Sequence, residues 1–409
     1  MITSHKALQI ILDNTDDFGI EEIPFLDSLG RTLKEDITAD RDFPPFNRVS
    51  MDGIAVSHDT FSKGTREFRI ENIQPAGSSQ VELKNPVNCI EVMTGAVLPK
   101  NVDAVIPYEQ VSIENGVATL HIDEIKHLQN VHLKGKDRIE NDTLLKSNTI
   151  ISSAEIGVFA TVGKSMVKVA KQPKVLIIST GDELVGVSEK PLLYQIRRSN
   201  VFTLVSLLER LQIKAVTEHI SDNKQVLKQK IEQHLEHYDV LLFSGAVSKG
   251  KFDFLPEVFD ELGVEKLFHK VKQRPGKPFW FGVLDPLNMN ERTADKKTKT
   301  IIFAFPGNPV STFVGCLKYF YPWYKKSMGI DYENQYNAIL AEDFTFNPEL
   351  TYYLQVITEN RNGTLYAKPF VGNGSGDLAN LAEADAFLEL PDNRNDFKEG
   401  EVFPLIEFR

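Results

Sequence analysis

Apolar positions change their rhythm about two-fifths of the way along the chain. After Lys174, blocks of strand length alternate with stripes of helical period: a strand over 175–178, a helix over 200–211, a strand over 214–219, a helix over 224–237 and a strand over 240–243. A helix over 255–262, an apolar segment over 267–271, a strand over 301–305 and a helix from Pro309 continue the series. Such alternation predicts βαβ units and a parallel sheet covered on both faces.

The earlier part of the chain reads differently. Ala7, Ile10 and Ile11 are spaced for one helical face behind Ser4 as N-cap, so the first thirty residues read as helical. Over 37–56, Pro44 and Pro45 exclude a central helix or strand and leave an ordered loop or strand approach. Short segments over 89–93, 104–107 and 117–122, separated by Gly, Pro and Asn, predict a small all-β region. A helix over 153–162 precedes Pro173, where a domain boundary is expected. The polar stretch 288–299 is expected to be a hairpin tip, and after Pro322 strands over 352–357, 364–369 and 386–390 predict a small C-terminal β domain.

Composition narrows the function classes. At 409 residues, with 42% apolar and 25% charged residues, the chain suits a soluble protein of several domains. Asp13, Asp16 and Asp17 interrupt any secretion signal, and no run approaches the roughly 20 apolar residues of a membrane span, so no membrane role is expected. Cys89 and Cys316 have no metal or redox spacing, which fits a reducing cytoplasm. A net charge of −11 argues against nucleic acid. An anionic ligand would therefore need locally placed basic groups, glycine-loop amides or a metal.

Three glycine-bearing loops follow apolar strands: Ser179-Thr180-Gly181-Asp182-Glu183-Leu184, Ser244-Gly245-Ala246-Val247-Ser248-Lys249-Gly250, and Pro306-Gly307-Asn308-Pro309-Val310-Ser311. In an open α/β sheet, loops at the strands' carboxyl ends converge on one crevice, where glycine lets the backbone approach a phosphate. The plain alternative is that each glycine only closes a turn. Asp182, Glu183 and Asp253 supply carboxylates of the kind Mg2+ takes beside a pyrophosphate, although Asp182 and Asp253 also suit helix N-caps. The segment 270–278 concentrates basic side chains, and Pro275 and Pro278 around Gly276 would present Arg274 and Lys277 to an oxyanion; otherwise it is a solvated basic turn. Nine histidines without metal spacing and no nucleophile-elbow serine leave zinc and covalent catalysis without support. Phe43 and Phe46 read as core or interface anchors.

Taken in order, these loops resemble those of molybdopterin molybdenumtransferases, a family related to the C-terminal domain of gephyrin. Thr180 to Leu184, Ser244-Gly245 through Asp253, Pro275-Gly276-Lys277-Pro278 and Pro306 to Ser311 carry the resemblance. Pro44-Pro45-Phe46, Met51-Asp52-Gly53, Met93-Thr94-Gly95-Ala96, Gly135 to Asp137 and Gly374-Ser375-Gly376 extend it over nearly the whole chain.

The resemblance implies a multidomain α/β plus β protein. Its domains would be a helical linking domain of residues 1–40 with 141–173, a β-rich second domain over 41–140, a doubly wound α/β molybdopterin-binding domain over 174–327, and a C-terminal β-barrel-like domain over 328–409. It implies insertion of molybdate into adenylylated molybdopterin, with release of AMP and formation of molybdenum cofactor. It further implies a cytoplasmic homodimer whose active site is shared, with Asp52 and Asp137 reaching it from the partner chain. Glu183 and Asp253 would serve Mg2+ and the pyrophosphate. Arg274, Lys277, Ser311 and Ser375 would hold molybdate, and Thr180, Gly181, Asp182, Ser244, Gly245, Gly276, Pro306, Gly307 and Asn308 would contact the substrate.

Lys136, Ala246, Lys249, Ile54 and Gln355 depart from the family pattern. Lys136 and Lys249 add positive charge, and Gln355 weakens the case for a C-terminal molybdate contact. A molybdopterin adenylyltransferase is the nearest enzymatic alternative, but it lacks the flanking domains. A non-catalytic gephyrin-like scaffold is the alternative from another class, and the chain has neither a low-complexity linker nor a fused partner domain to support it.

Overall fold

A computed structural model describes residues 1–245, 247, 253–285, 299–330 and 336–409. Ala246, Ser248, Lys249 and Gly250 of the second glycine loop, and 288–298 of the polar stretch, lie outside the described residues. Contacts divide the chain into two compact units: residues 1–34, 148–152 and 166–409, and residues 35–147 with 153–165.

The first unit is built on a six-stranded sheet in the order Val216–Ile220, Val175–Thr180, Val240–Ser244, Thr300–Phe305, Trp280–Leu284, Glu265–His269. The first four strands are parallel, as the alternation predicts, and the last two form an antiparallel edge. Thus the sheet is mixed rather than wholly parallel. The strand Trp280–Leu284 escapes the period-two test because it is buried along its whole length and so lacks alternation. Helices Asn200–Glu209, Lys224–His237 and Leu255–Glu261 stand where helical stripes predict them. Two separate cores flank the sheet, one under Leu204, Phe303 and Trp323, the other under Ile231, Phe259 and Ile302.

Strand Val175–Thr180 lies between Val216–Ile220 on one side and Val240–Ser244 on the other. The chain therefore leaves it in one direction and later returns on the opposite side. A topological switch of this kind opens a crevice at the carboxyl ends of the central strands.

The C-terminal strands Tyr336–Leu340, Thr351–Arg361, Thr364–Pro369, Ala386–Leu390 and Val402–Glu407 close into a small barrel, because Thr351–Arg361 pairs with both Thr364–Pro369 and Ala386–Leu390. Val271–Arg274 extends Thr351–Arg361 in parallel, and Ile2–Thr3 extends Val271–Arg274. Helical structure after Pro309 runs on to Ser327 through a π-helical stretch over Cys316–Phe320, and Pro322 falls in the first turn of the α-helix that follows, where its missing amide costs no α-helical hydrogen bond.

The N-terminal helix spans only Ser4–Leu12, not the first thirty residues; Ile20–Pro24 is a strand paired with Met166–Ala170. Three aspartates within Asp13–Asp17 disrupt the helical stripe. Thr3, not Ser4, caps the helix by accepting the Lys6 amide, and the Ser4 hydroxyl points into the core.

In the second unit six strands form one sheet in the order Ala104–Pro107, Gly53–Val56, Asn88–Val92, Glu67–Gln74, Val117–Leu120, Val111–Glu114. Residues 37–56 contribute short strands on either side of the prolines, at Ile37–Thr38, Arg48–Val49 and Gly53–Val56.

Candidate active site

The carboxyl-end crevice of the six-stranded sheet is a cleft of about 250 Å³ that brings together Thr180, Gly181, Glu183, Ser244, Gly245, Asp253, Pro306 and Gly307. The three glycine loops converge as the fold requires. Gly181 adopts φ +130°, a backbone conformation that favours glycine, and a Cβ there, 2.4 Å from Glu183 Oε2, would also push the carboxylate aside. Asn200, the first residue of its helix, donates through Nδ2 to Ser244 Oγ at 2.8 Å and to the Gly307 carbonyl at 2.7 Å, which fixes the second and third loops to each other. The Thr180 hydroxyl is buried in the cleft wall without a hydrogen-bond partner among the described residues. Leaving such a group unpaired costs roughly 1–3 kcal/mol, which a bound polar ligand would recover.

Asp222 joins Glu183 and Asp253 in the cleft. Its pKa is raised, first by partial burial and then by the charges of Asp182, Glu183 and Asp253. Asp182 does not line the cleft; its carboxylate accepts the Asp222 amide at 3.2 Å. Among the described residues no three ligating side chains form a ready-made cage for a cation. Hard oxygen donors in excess negative charge, one or two of which complete a metal shell shared with phosphate oxygens and water, fit magnesium.

Because the folded state holds the Asp222 proton above the ordinary aspartate range, stability of the metal-free protein should fall as pH rises from that range through the raised value. Asp222→Asn is expected to remove this loss and to raise the melting temperature at neutral pH. Melts of both proteins from about pH 4 to about pH 8 would show it. Parallel curves would contradict the repulsion.

Arg197 and Arg198 also line this cleft. Arg197 donates to the Glu189 carbonyl, whereas the Arg198 Nε is buried without a partner among the described residues. Arg198 also depresses the pKa of His219, after the larger effect of burial.

A second basin, of about 310 Å³, is lined by Arg274, Gly276, Lys277, Asn308, Ser311, Gln355 and Ser375. Pro306 borders both cavities; Gly307 and Pro309 face the cleft, and Asn308, Val310 and Ser311 face the basin. The third loop is thus the wall between them. Asn308 Nδ2 donates to Ser375 Oγ at 2.7 Å, and the Val310 amide donates to the Ser375 carbonyl at 3.0 Å, which ties this wall to the Gly374-Ser375-Gly376 segment. Gln355 accepts from Asn380 Nδ2 at 3.1 Å, so the departure at this position helps to hold the basin's rim.

Asp52 and Asp137 both belong to the second unit. The Thr94 amide donates to Asp52 Oδ1 at 2.6 Å and holds its carboxyl below the usual aspartate range. Asp137 pairs with His132 Nε2 at 2.8 Å.

Asp222, Arg198, Asn200 and Gln355's partner Asn380 were not singled out from the sequence. Asp222 follows the strand Val216–Ile220, but no glycine marks its loop and its nearness to Glu183 depends on the order of strands in the sheet.

Residues 2–163 match the family described as MoeA N-terminal region (domain I and II), residues 176–326 a probable molybdopterin binding domain, and residues 337–408 the MoeA C-terminal region (domain IV). A molybdopterin molybdenumtransferase of Synechocystis sp. is 39% identical over 408 residues, 99% of each chain. One from Staphylococcus epidermidis is 32% identical over 93% of this chain and 89% of its own. A crystal structure of the molybdopterin biosynthesis moeA protein from Pyrococcus horikoshii superposes with a TM-score of 0.81 at 27% identity, covering 100% of this chain and 99% of that one.

Proposed function

From the premise that this chain belongs to the molybdopterin molybdenumtransferase family, we propose that it inserts molybdate into adenylylated molybdopterin, releasing AMP and forming molybdenum cofactor. The observation that carries this reading is the single loop Pro306 to Ser311 with an acidic, phosphate-type cleft on one face and a basic basin on the other. Two anions that repel in water must meet across a short distance, and a shared wall with separate charge environments allows both to bind before they react.

In the cleft, the loop backbones at Gly181, Gly245 and Gly307 and the unpaired Thr180 hydroxyl hold the phosphoanhydride, with Arg198 as a cation for its oxygens. Glu183 and Asp253 hold magnesium, which when bound supplies positive charge against the developing charge on phosphate. In the basin, Arg274, Lys277, Ser311 and Ser375 orient the oxyanion, the first two by charge and the serines by hydrogen bonding. The enzyme works as a homodimer with a shared site, to which the partner subunit's Asp52 and Asp137 are added. Cys89 and Cys316 are buried and unpaired, which supports a cytoplasmic setting, and no helix among the described residues is long and apolar enough to cross a membrane.

The test is AMP release and cofactor formation by purified protein given adenylylated molybdopterin, magnesium and molybdate, with tungstate in parallel. Molybdate-dependent AMP release is expected. Tight binding with no turnover would instead favour a scaffold.

A further inference from the structure

Four polar side chains with no more than 1% exposure, Ser4, Tyr353, Tyr319 and Gln273, meet in the core of the first unit. Buried polar groups persist where they are satisfied, and these satisfy one another in sequence. Ser4 Oγ lies 3.1 Å from the Tyr319 hydroxyl and also bonds the Tyr353 hydroxyl. The Tyr319 hydroxyl donates to Gln273 Oε1. Gln273 Nε2 in turn donates to the carbonyls of Pro275 at 3.1 Å and Gly276 at 3.4 Å.

The order of donors follows from the proton count. Tyr319 has one proton and spends it on Gln273, so Ser4 must donate to Tyr319 and accept from Tyr353. The chain runs one way: Tyr353 to Ser4, to Tyr319, to Gln273, to the backbone of the loop that carries Arg274 and Lys277. Its last member does something specific for an anion. A carbonyl oxygen turned toward the basin would repel molybdate, and both carbonyls at the turn are instead engaged by a buried amide.

We propose that this relay is the positioning device of the oxyanion basin, with Tyr319 and Gln273, the latter also bordering the basin, as positioning residues that act through the backbone of Pro275 and Gly276. The inference rests on the reading of that basin as the molybdate site. Pairing of Ile2–Thr3 with Val271 and Lys272, and of Gln273 and Arg274 with Thr351 and Tyr352, fixes the base of the loop, so the relay governs only its tip.

Tyr319→Phe, Gln273→Met and Ser4→Ala separate this role from general packing. In the first two, the KM for molybdate is expected to rise about tenfold, within the range that misplacing a binding group produces. kcat at saturating molybdate and the KM for adenylylated molybdopterin should stay within about twofold of the unmodified enzyme. Ser4→Ala, the mildest change, should raise the molybdate KM by a smaller factor. Calorimetric titration with molybdate alone should show the same ranking. An unchanged molybdate KM in folded Tyr319→Phe or Ser4→Ala overturns the proposal, as does a proportional loss in both substrates. Lys277→Ala is the control: if it too leaves the molybdate KM unchanged, the reading of the basin has failed, and the relay's role falls with it.

Discussion

Replacing either Glu183 or Asp253 by alanine is expected to lower AMP release by on the order of a thousandfold while the protein stays folded. Both residues line the cleft outside the buried cores, so truncation opens no cavity there. Removal of either charge also relieves Asp222, whose carboxyl both neighbours push upward. A large loss of rate with no loss of melting temperature is therefore the signature, read by single-turnover AMP release beside thermal melts. Full activity in both variants would remove the magnesium role from these residues.

The largest effect on stability is expected at Gly53, where alanine should cost about 3 kcal/mol. Gly53 sits in the middle of three strands, opposite both Val92 and Pro107. A Cβ there would lie 2.0 Å from the Ile106 carbonyl oxygen and 2.9 Å from Pro107 Cα, and backbone cannot rotate aside as a side chain can. The sheet must separate locally, and the bond from the Tyr108 amide to the Asp52 carbonyl would be strained with it. Urea titration measures the loss. A shift of less than about 0.5 kcal/mol, typical of a neutral surface change, would show that the strands give way more easily than their pairing implies.

How far the sequence could be read depended on whether a signal was local. The glycine loops after Thr180 and Ser244 and before Pro309 were legible because each places a glycine within two residues of the end of an apolar strand. The cleft they form was legible from topology alone. Asp222, by contrast, needs the knowledge that Val216–Ile220 lies beside Val175–Thr180, which no spacing along the chain conveys. Gln273 stands uncharged in a basic run, and its buried partner Tyr319 lies 46 residues away. Ser4 looked like a cap because serine at the start of an apolar stripe usually is one. Its actual partners lie 315 and 349 residues distant. The antiparallel edge of the main sheet was missed for a different reason: Trp280–Leu284 has no polar face to give it a period.

The span from Ser4 to Tyr353 bears on how the chain is made. Every strand of the sheet in the second unit finds its partners between residues 53 and 120, so these pairings can form early on the ribosome. Ile2, Thr3 and Ser4 must wait for Val271, Lys272 and Tyr353 to emerge. At roughly 5–20 residues per second, that wait is on the order of tens of seconds. Ile2, Thr3 and Ser4 thus find their places long after their neighbours in sequence, and the relay they complete comes into being only when Tyr353 has left the exit tunnel.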